Sequence, residues 1–189
     1  VSESLLHHTG DIASILFFLL GAMTIVELID SHNGFSIITD KINTTSKSKL
    51  LIIIAVIAFF LSALLDNLTT AIVMVSLCSK LLSNKEDKLW FAGIIVIAAN
   101  AGGAWSPLGD VTTTMLWIGG QITALGIIQQ LFLPSLFVII IPVMILAVKF
   151  KGKMVEAMPK AAISAKDKRE GRVIFFVGIG FLLFVPLFK

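Results

Sequence analysis

The chain has 189 residues, of which 57% are hydrophobic and 14% charged, with a mean hydropathy of +0.97. A water-soluble globular domain is closer to half apolar and about a quarter charged, so these proportions exclude a soluble enzyme domain. The net charge of +3 acquires meaning only from where the charges lie.

Four runs carry no ionised side chain: Ile12–Val26, Leu51–Leu65, Leu131–Val148 and Val173–Phe188. Each is roughly 15–18 residues, slightly short of the ~20 that cross a bilayer upright, and flanking residues complete them. The chain therefore reads as an all-α membrane protein, a polytopic helical bundle. The first run is no signal peptide, because Glu27 and Asp30 follow it and neither a basic n-region nor a cleavage site is present. In chain order the expected elements are a span at 11–30, a re-entrant helical hairpin at 50–82 and a broken span at 89–120. A return span at 131–148, a cytoplasmic loop at 149–172 and a truncated span at 173–189 follow. Phe35–Ile42 reads as an interfacial segment or a cap on the first span, and His7 and His8 as solvated. Cys78, the one cysteine, reads as a packed thiol. The chain begins with Val1 and stops as an apolar run ends, so it reads as part of a longer protein.

The hairpin is deduced from charge. Lys41, Lys47 and Lys49 follow the first run, and Lys80, Lys85 and Lys88 follow the second. Eight basic residues between Lys149 and Arg172 fill the loop before the last run. Loops rich in Lys and Arg stay cytoplasmic, so all three clusters belong on one side. A single straight span between Lys49 and Lys80 would separate the first two clusters. A hairpin that enters, turns near Asp66 and returns keeps them together. The basic loop reads as an ordinary cytoplasmic loop, with anionic lipid headgroups as the lesser reading.

Two polar interruptions lie inside apolar sequence: Ser62–Thr70, and Asn100–Thr114, which contains Gly102, Gly103, Pro107 and Gly109. Glycine and proline weaken a helix, and the backbone groups they release survive at membrane depth only inside protein or beside a polar cavity. Both interruptions contain Asp-x-x-Thr-Thr, at Asp66–Thr70 and Asp110–Thr114. Each Asp falls where a new half-helix begins, so it can cap free N–H groups and meet the positive dipole end. Taken singly, either has a plain N-cap as its lesser reading. Together with Asn67 and Asn100 they supply the hard oxygen donors that an alkali cation prefers. Carbonyls near Leu65 and Asn100–Gly102 are expected to be free at the ends of the preceding half-helices. Trp105 and Trp117 read as packing residues. Glu27, Asp30 and His32 form a weaker cluster at the end of the first span, a proton pathway or simply a wetted helix end.

The stretches SALLDNLTTAIVM (Ser62–Met74), ANAGGAWSPLGDVTTTMLW (Ala99–Trp117) and FFLLGAMTIVELIDSHNGF (Phe17–Phe35) closely resemble the NhaD-type sodium/proton antiporters. These belong to the ion transporter superfamily, which also holds arsenite exporters and sodium-coupled dicarboxylate carriers. The resemblance implies one repeat of an inverted-repeat transporter, with a re-entrant hairpin followed by a discontinuous helix. It implies cation and proton binding at Asp66, Asn67 and Thr69 on the hairpin tip and at Asn100, Asp110, Thr112 and Thr113 at the helix break. Na+ would be held at Asp66 and Asp110.

The expected activity is exchange of Na+ (or Li+) for H+ without a resident cofactor, serving sodium and pH homeostasis. A buried carboxyl takes up a proton more readily than one in water, while a bound cation favours its ionised form, so proton and cation exclude one another. Expected partners are membrane lipid, the C-terminal half of the same protein and a second copy in a homodimer, with no nucleic acid. The membrane is expected to be a bacterial plasma membrane, with a plastid envelope as the lesser reading. The alternatives are a sodium-coupled organic-anion symporter or arsenite exporter and, remotely, an intramembrane aspartyl protease. Pro107-Leu108-Gly109-Asp110 lacks the first glycine of the protease Gly-x-Gly-Asp motif.

Overall fold

The structure is a computed structural model that describes residues 2–32, 34, 35, 37, 42, 44–155 and 165–184. The helices are α1 (Ser2–Ser31), α2 (Lys47–Ser62), α3 (Asn67–Leu81), α4 (Lys85–Ala104), α5 (Val111–Ile118), α6 (Ala124–Lys149) and α7 (Ala165–Phe184). No strand occurs among the described residues; Ser46 and Met154 make an isolated antiparallel bridge.

Most helix starts carry a short polar side chain that accepts from the free N–H groups of the first turn. Asn84 accepts from Glu86 and Asp87 N–H at the start of α4, and Thr123 from Gly126 N–H at the start of α6. Pro134 and Pro142 lie inside α6, where neighbouring protein and membrane context tolerate them.

Helix α4 forms the centre and packs on α2, α3 and α6, while α1 pairs with α7 and touches α5. One end of this bundle is polar. Lys47 Nζ lies 2.5 Å from Asp87 Oδ2, and both side chains are nearly buried. Ser48 Oγ donates to Ala147 O at 2.8 Å, and Lys47 N–H to Lys153 O at 3.0 Å. Lys149 Nζ sits 3.5 Å over the Trp90 ring, and Phe91 packs 5.7 Å from Phe150. The starts of α2 and α4 and the end of α6 therefore meet at one level. From there α2 runs its 16 residues, about 24 Å, turns at residues 63–66, and α3 comes back. Near the end of α2 the ring of Phe59 packs with those of Trp105 and Phe132, with centroids 5.1–6.3 Å apart. Helix α6 has 26 residues, about 39 Å.

Among the described residues one helix, Ala124–Lys149, is by itself long and apolar enough to cross a membrane. Several element bounds differ from those expected. Helices α1 and α6 are longer than the expected spans 11–30 and 131–148, because helix continues through the flanks. The broken helix begins at Lys85, four residues earlier than the expected 89, because Asn84 caps it. Residues 165–172, expected as loop, form the charged first part of α7, so the loop between α6 and α7 is shorter. Phe35 is buried and meets Phe175 edge-on at 5.8 Å, and Ile42 is also buried. Much of the rest of Phe35–Ile42, the His7 and His8 side chains, and residues 156–164 and 185–189 lie outside the described residues.

The largest correction concerns the glycine pair. Gly102 and Gly103 do not break the helix; α4 runs through them to Ala104, and the interruption is residues 105–110 around Pro107. Their role is close approach. A Cβ on Gly102 would sit 2.0 Å from the Phe59 carbonyl oxygen, and one on Gly103 would sit 2.2 Å from Gly109 O. Replacing Gly102 by Ala is therefore expected to force α2 and α4 apart and destabilise the protein by about 1–3 kcal/mol. Gly93, on the same helix with nothing within 4 Å of its missing Cβ, is the control, and Gly93→Ala is expected to hold or raise the Tm. Thermal unfolding of both variants in detergent checks this, and equal effects would contradict the close-approach reading.

Candidate functional site

Two half-helices begin at the site, and an aspartate caps each. Asp66 has extended backbone before α3; its Oδ1 accepts from Thr69 N–H at 2.8 Å and its Oδ2 from the Thr69 hydroxyl. Asp110 has extended backbone before α5, and its Oδ1 accepts from Thr112 N–H at 2.8 Å. Carboxylates placed this way are stabilised by charge-assisted hydrogen bonds and by the positive end of the helix dipole. The Asp-x-x-Thr-Thr pattern thus has a local cause: an extended Asp with a helix starting after it.

Tertiary packing brings the two caps together through Asn67. Its Nδ2 donates to Asn100 Oδ1 at 3.1 Å and to Asp110 Oδ2 at 2.8 Å. Asn100 is held in turn by its own Nδ2, which donates to Val96 O at 2.8 Å. Hairpin tip, central helix and helix break therefore share one small polar network. Asn67 and Asp110 are half-buried and Asn100 is exposed.

Serines and threonines hold the surrounding backbone. Ser62 Oγ donates to Ala99 O at 2.6 Å, and Ser106 Oγ donates to Ala63 O while accepting from Leu108 N–H at 3.1 Å. Thr113 and Thr114 turn their hydroxyls back to Ser106 O, Pro107 O and Asp110 O, each at 2.9 Å. The expectation of free carbonyls is corrected in part, since hydroxyls of the opposite segment take the Ala63 and Ala99 carbonyls. The hydroxyl of Thr113 is engaged by backbone, and Thr112 is exposed.

Ser62 and Ser106 were missed as site-building residues, while Gly109 was expected only as part of the helix break and Thr114 only as part of Asp-x-x-Thr-Thr. A small polar residue beside a break was the available signal, but its cross-chain acceptor is invisible in one dimension. A Cβ on Gly109 would come 2.2 Å from Ser62 O, so this glycine also serves close approach. Thr70 is fully buried, and neither its hydroxyl nor the Trp105 indole N–H has a hydrogen-bond partner among the described residues. Such a group costs about 1–3 kcal/mol.

A cavity of about 260 Å3 opens beside the tip, lined by Asp66 and Asn67 with apolar walls that include Met23, Val26, Leu108 and Leu182. Helix α1 faces it with Ala22 and Val26 and buries Ile29 one turn on. That stripe leaves Glu27 and Asp30 exposed on other faces. His32 lines a separate cavity with Arg169, Glu170, Val173 and Ile174. Of the two readings of Glu27, Asp30 and His32, a proton pathway or a wetted helix end, their exposure fits the second; helical periodicity turns the buried stripe inward and these side chains outward.

Chemically, the tip offers carboxylate, carboxamide and hydroxyl oxygens at the starts of two helices, and residues 89–148 contain no Lys or Arg. The chain is similar to known proteins. The sodium/proton antiporter 1 of Arabidopsis thaliana is 49% identical over 184 residues, 97% of this chain and 32% of that protein. The sodium/proton antiporter 2 of the same plant is 46% identical over 192 residues, 100% of this chain and 46% of that protein. The Na(+)/H(+) antiporter NhaD of Vibrio cholerae is 38% identical over 148 residues, 77% of this chain and 31% of that protein. The chain thus spans between 31% and 46% of the length of these curated relatives. No solved structure matches it. The citrate transporter family matches residues 7–188, so the chain belongs to that family.

Proposed function

We propose that this chain is one repeat of an integral-membrane secondary transporter that exchanges Na+ or Li+ for H+. The observation that carries the proposal is Asn67 bonded at once to Asn100 and Asp110, which joins the two aspartate-capped helix starts into one oxygen-rich locus. The relatives' printed names, sodium/proton antiporter and NhaD, support the choice of ions. Asp66, Asn67, Thr69, Asn100 and Asp110 would supply oxygens to the transported cation, and Thr112 and Thr113 would shape the start of α5. Protons compete for the same carboxylates, and alternating access turns that competition into exchange.

In this reading α2 and α3 form a re-entrant hairpin whose tip lies within the membrane, and α4–α5 a discontinuous spanning helix. The remaining length of the protein would supply an inverted repeat that completes the site. A homodimer in a lipid bilayer is the assembly we favour. The membrane we favour is a bacterial plasma membrane, with a plastid envelope as the second reading, and the relatives include both plant and bacterial proteins.

The family's description as citrate transporter supports a second reading, sodium-coupled symport of an organic anion. The absence of basic residues across 89–148 opposes it, since a carboxylate substrate is best met by a cationic or charge-complementary donor. For a protease dyad the two aspartates should share a proton. Here Asp66 bonds to Thr69 and Asp110 to Thr112 and Asn67 instead.

Full-length protein in proteoliposomes with an imposed pH gradient is expected to dissipate it on addition of Na+ or Li+, without response to citrate. Asp66→Asn and Asp110→Asn are each expected to reduce exchange to below about a tenth of wild type; full exchange in both variants would refute the proposal. Topology is tested separately with single cysteines replacing Lys49, Lys85 and Lys151 in a Cys78→Ser background. All three are expected to react with a membrane-impermeant maleimide from the same side, and labelling of Lys49 and Lys85 positions from opposite sides would exclude the re-entrant hairpin.

A further inference from the structure

The side-chain nitrogen of Asn67 lies where two oxygens converge, 3.1 Å from Asn100 Oδ1 and 2.8 Å from Asp110 Oδ2. Its neighbours set its orientation. Asn100 donates its own Nδ2 to the Val96 carbonyl, so it must present Oδ1 to the tip. Asp110 receives the Thr112 N–H on Oδ1 and turns Oδ2 to Asn67; an ionised carboxylate has no hydrogen to give. Two acceptors therefore face Asn67, and a carboxamide satisfies two acceptors only through its NH2 group. The opposite flip would set oxygen against two oxygens.

An alkali cation seeks oxygen ligands and is drawn to the same point. It cannot share that point with the NH2 hydrogens, which would repel it. We infer that the Asn67 carboxamide is a tethered stand-in for the transported cation. Its NH2 satisfies Asn100 and Asp110 while Asp110 is ionised and no cation is held there, and half a turn about χ2 presents an oxygen ligand instead when a cation enters among the three side chains. Two features make the rotation feasible. Asn67 is the first residue of α3, so no helix interior is disturbed, and it lines the cavity of about 260 Å3. A carboxamide is suited to this role because it carries donor and acceptor on one rotor. A purely cationic side chain would hold the two oxygens permanently, and a carboxylate could not hold them without a cation.

This inference rests on the site being a Na+ site. The test uses full-length transporter, with thermal stability and exchange measured against Na+ concentration. Asn67→Asp is expected to lower the Tm in Na+-free buffer, where three acceptors face one another, and Na+ is expected to restore it. Half-saturating Na+ is expected to fall about tenfold relative to wild type. Stability lost but not restored by Na+, as for an ordinary structural hydrogen bond, or a higher half-saturating Na+, overturns the inference. A wild-type measurement removes dependence on that variant folding. In protein carrying nitrogen-labelled asparagine, the Asn67 side-chain NH2 resonance is expected to shift with Na+ at the concentration that stabilises the protein. A resonance that stays fixed while Na+ stabilises the protein overturns the inference alone. A wild-type protein that neither binds nor exchanges Na+ overturns the transport reading and this inference together.

Discussion

The backbone of α2 lies directly against the backbone of α4 where Phe59 meets Gly102, and the geometry of the site follows from that contact. A side chain there would need space already filled by a carbonyl group. With none present, the two helices approach closely enough for Ser62 to reach Ala99 O and for Ser106 to reach Ala63 O. Gly109 repeats the same device against Ser62 O, seating the helix break on the end of α2. Only at that separation does Asn67 reach both Asn100 and Asp110. Packing without side chains, reinforced by hydroxyl-to-carbonyl bonds, is the means by which membrane helices gain affinity where water provides no hydrophobic drive.

That arrangement also reconciles a polar locus with an apolar chain. Broken backbone at depth is costly unless each freed group finds a partner. Here the break is lined by short hydroxyl and carboxylate side chains that supply most of those partners locally. Asp66 and Asp110 cap their helices, Thr113 and Thr114 return to carbonyls of residues 106–110, and the serines tie one interruption to the other. The far end of the bundle uses different means. There the Lys47–Asp87 pair ties α2 to α4, the Ser48 hydroxyl ties α2 to Ala147 of α6, and Lys149 over Trp90 ties α6 to α4. Polar ties at both ends hold the hairpin against α4.

Much of this was legible along the chain. The four runs free of charge marked α1, α2, α6 and α7, because length and composition decide whether a segment can be an apolar helix. Asp66 and Asp110 were legible as helix starts, because an N-cap acts within three residues of itself. The bend near Asp66 was deduced from lysine placement, and the structure has α2 and α3 turning back on each other at residues 63–66. The glycine pair was misread. Gly102-Gly103 suits a helix break and a helix–helix contact equally well, and the partner backbone that decides between them is 43 residues away at Phe59. For the acidic cluster at the end of α1 the chain left a proton pathway and a wetted helix end open; which face of α1 turns inward depends on its neighbours, and Val26 and Ile29 take that face.

The sequence by itself determined the class of protein, the helices, the two capped interruptions and the oxygen-rich character of the residues within them. These depend on composition and on interactions between residues a few positions apart. Tertiary structure alone decided that the interruptions meet, that Asn67 is the residue joining them, and that Ser62, Ser106 and Gly109 make the junction possible. Each of those facts is a distance between segments some 33–47 residues apart, fixed by how closely two backbones can approach, and no local pattern encodes it.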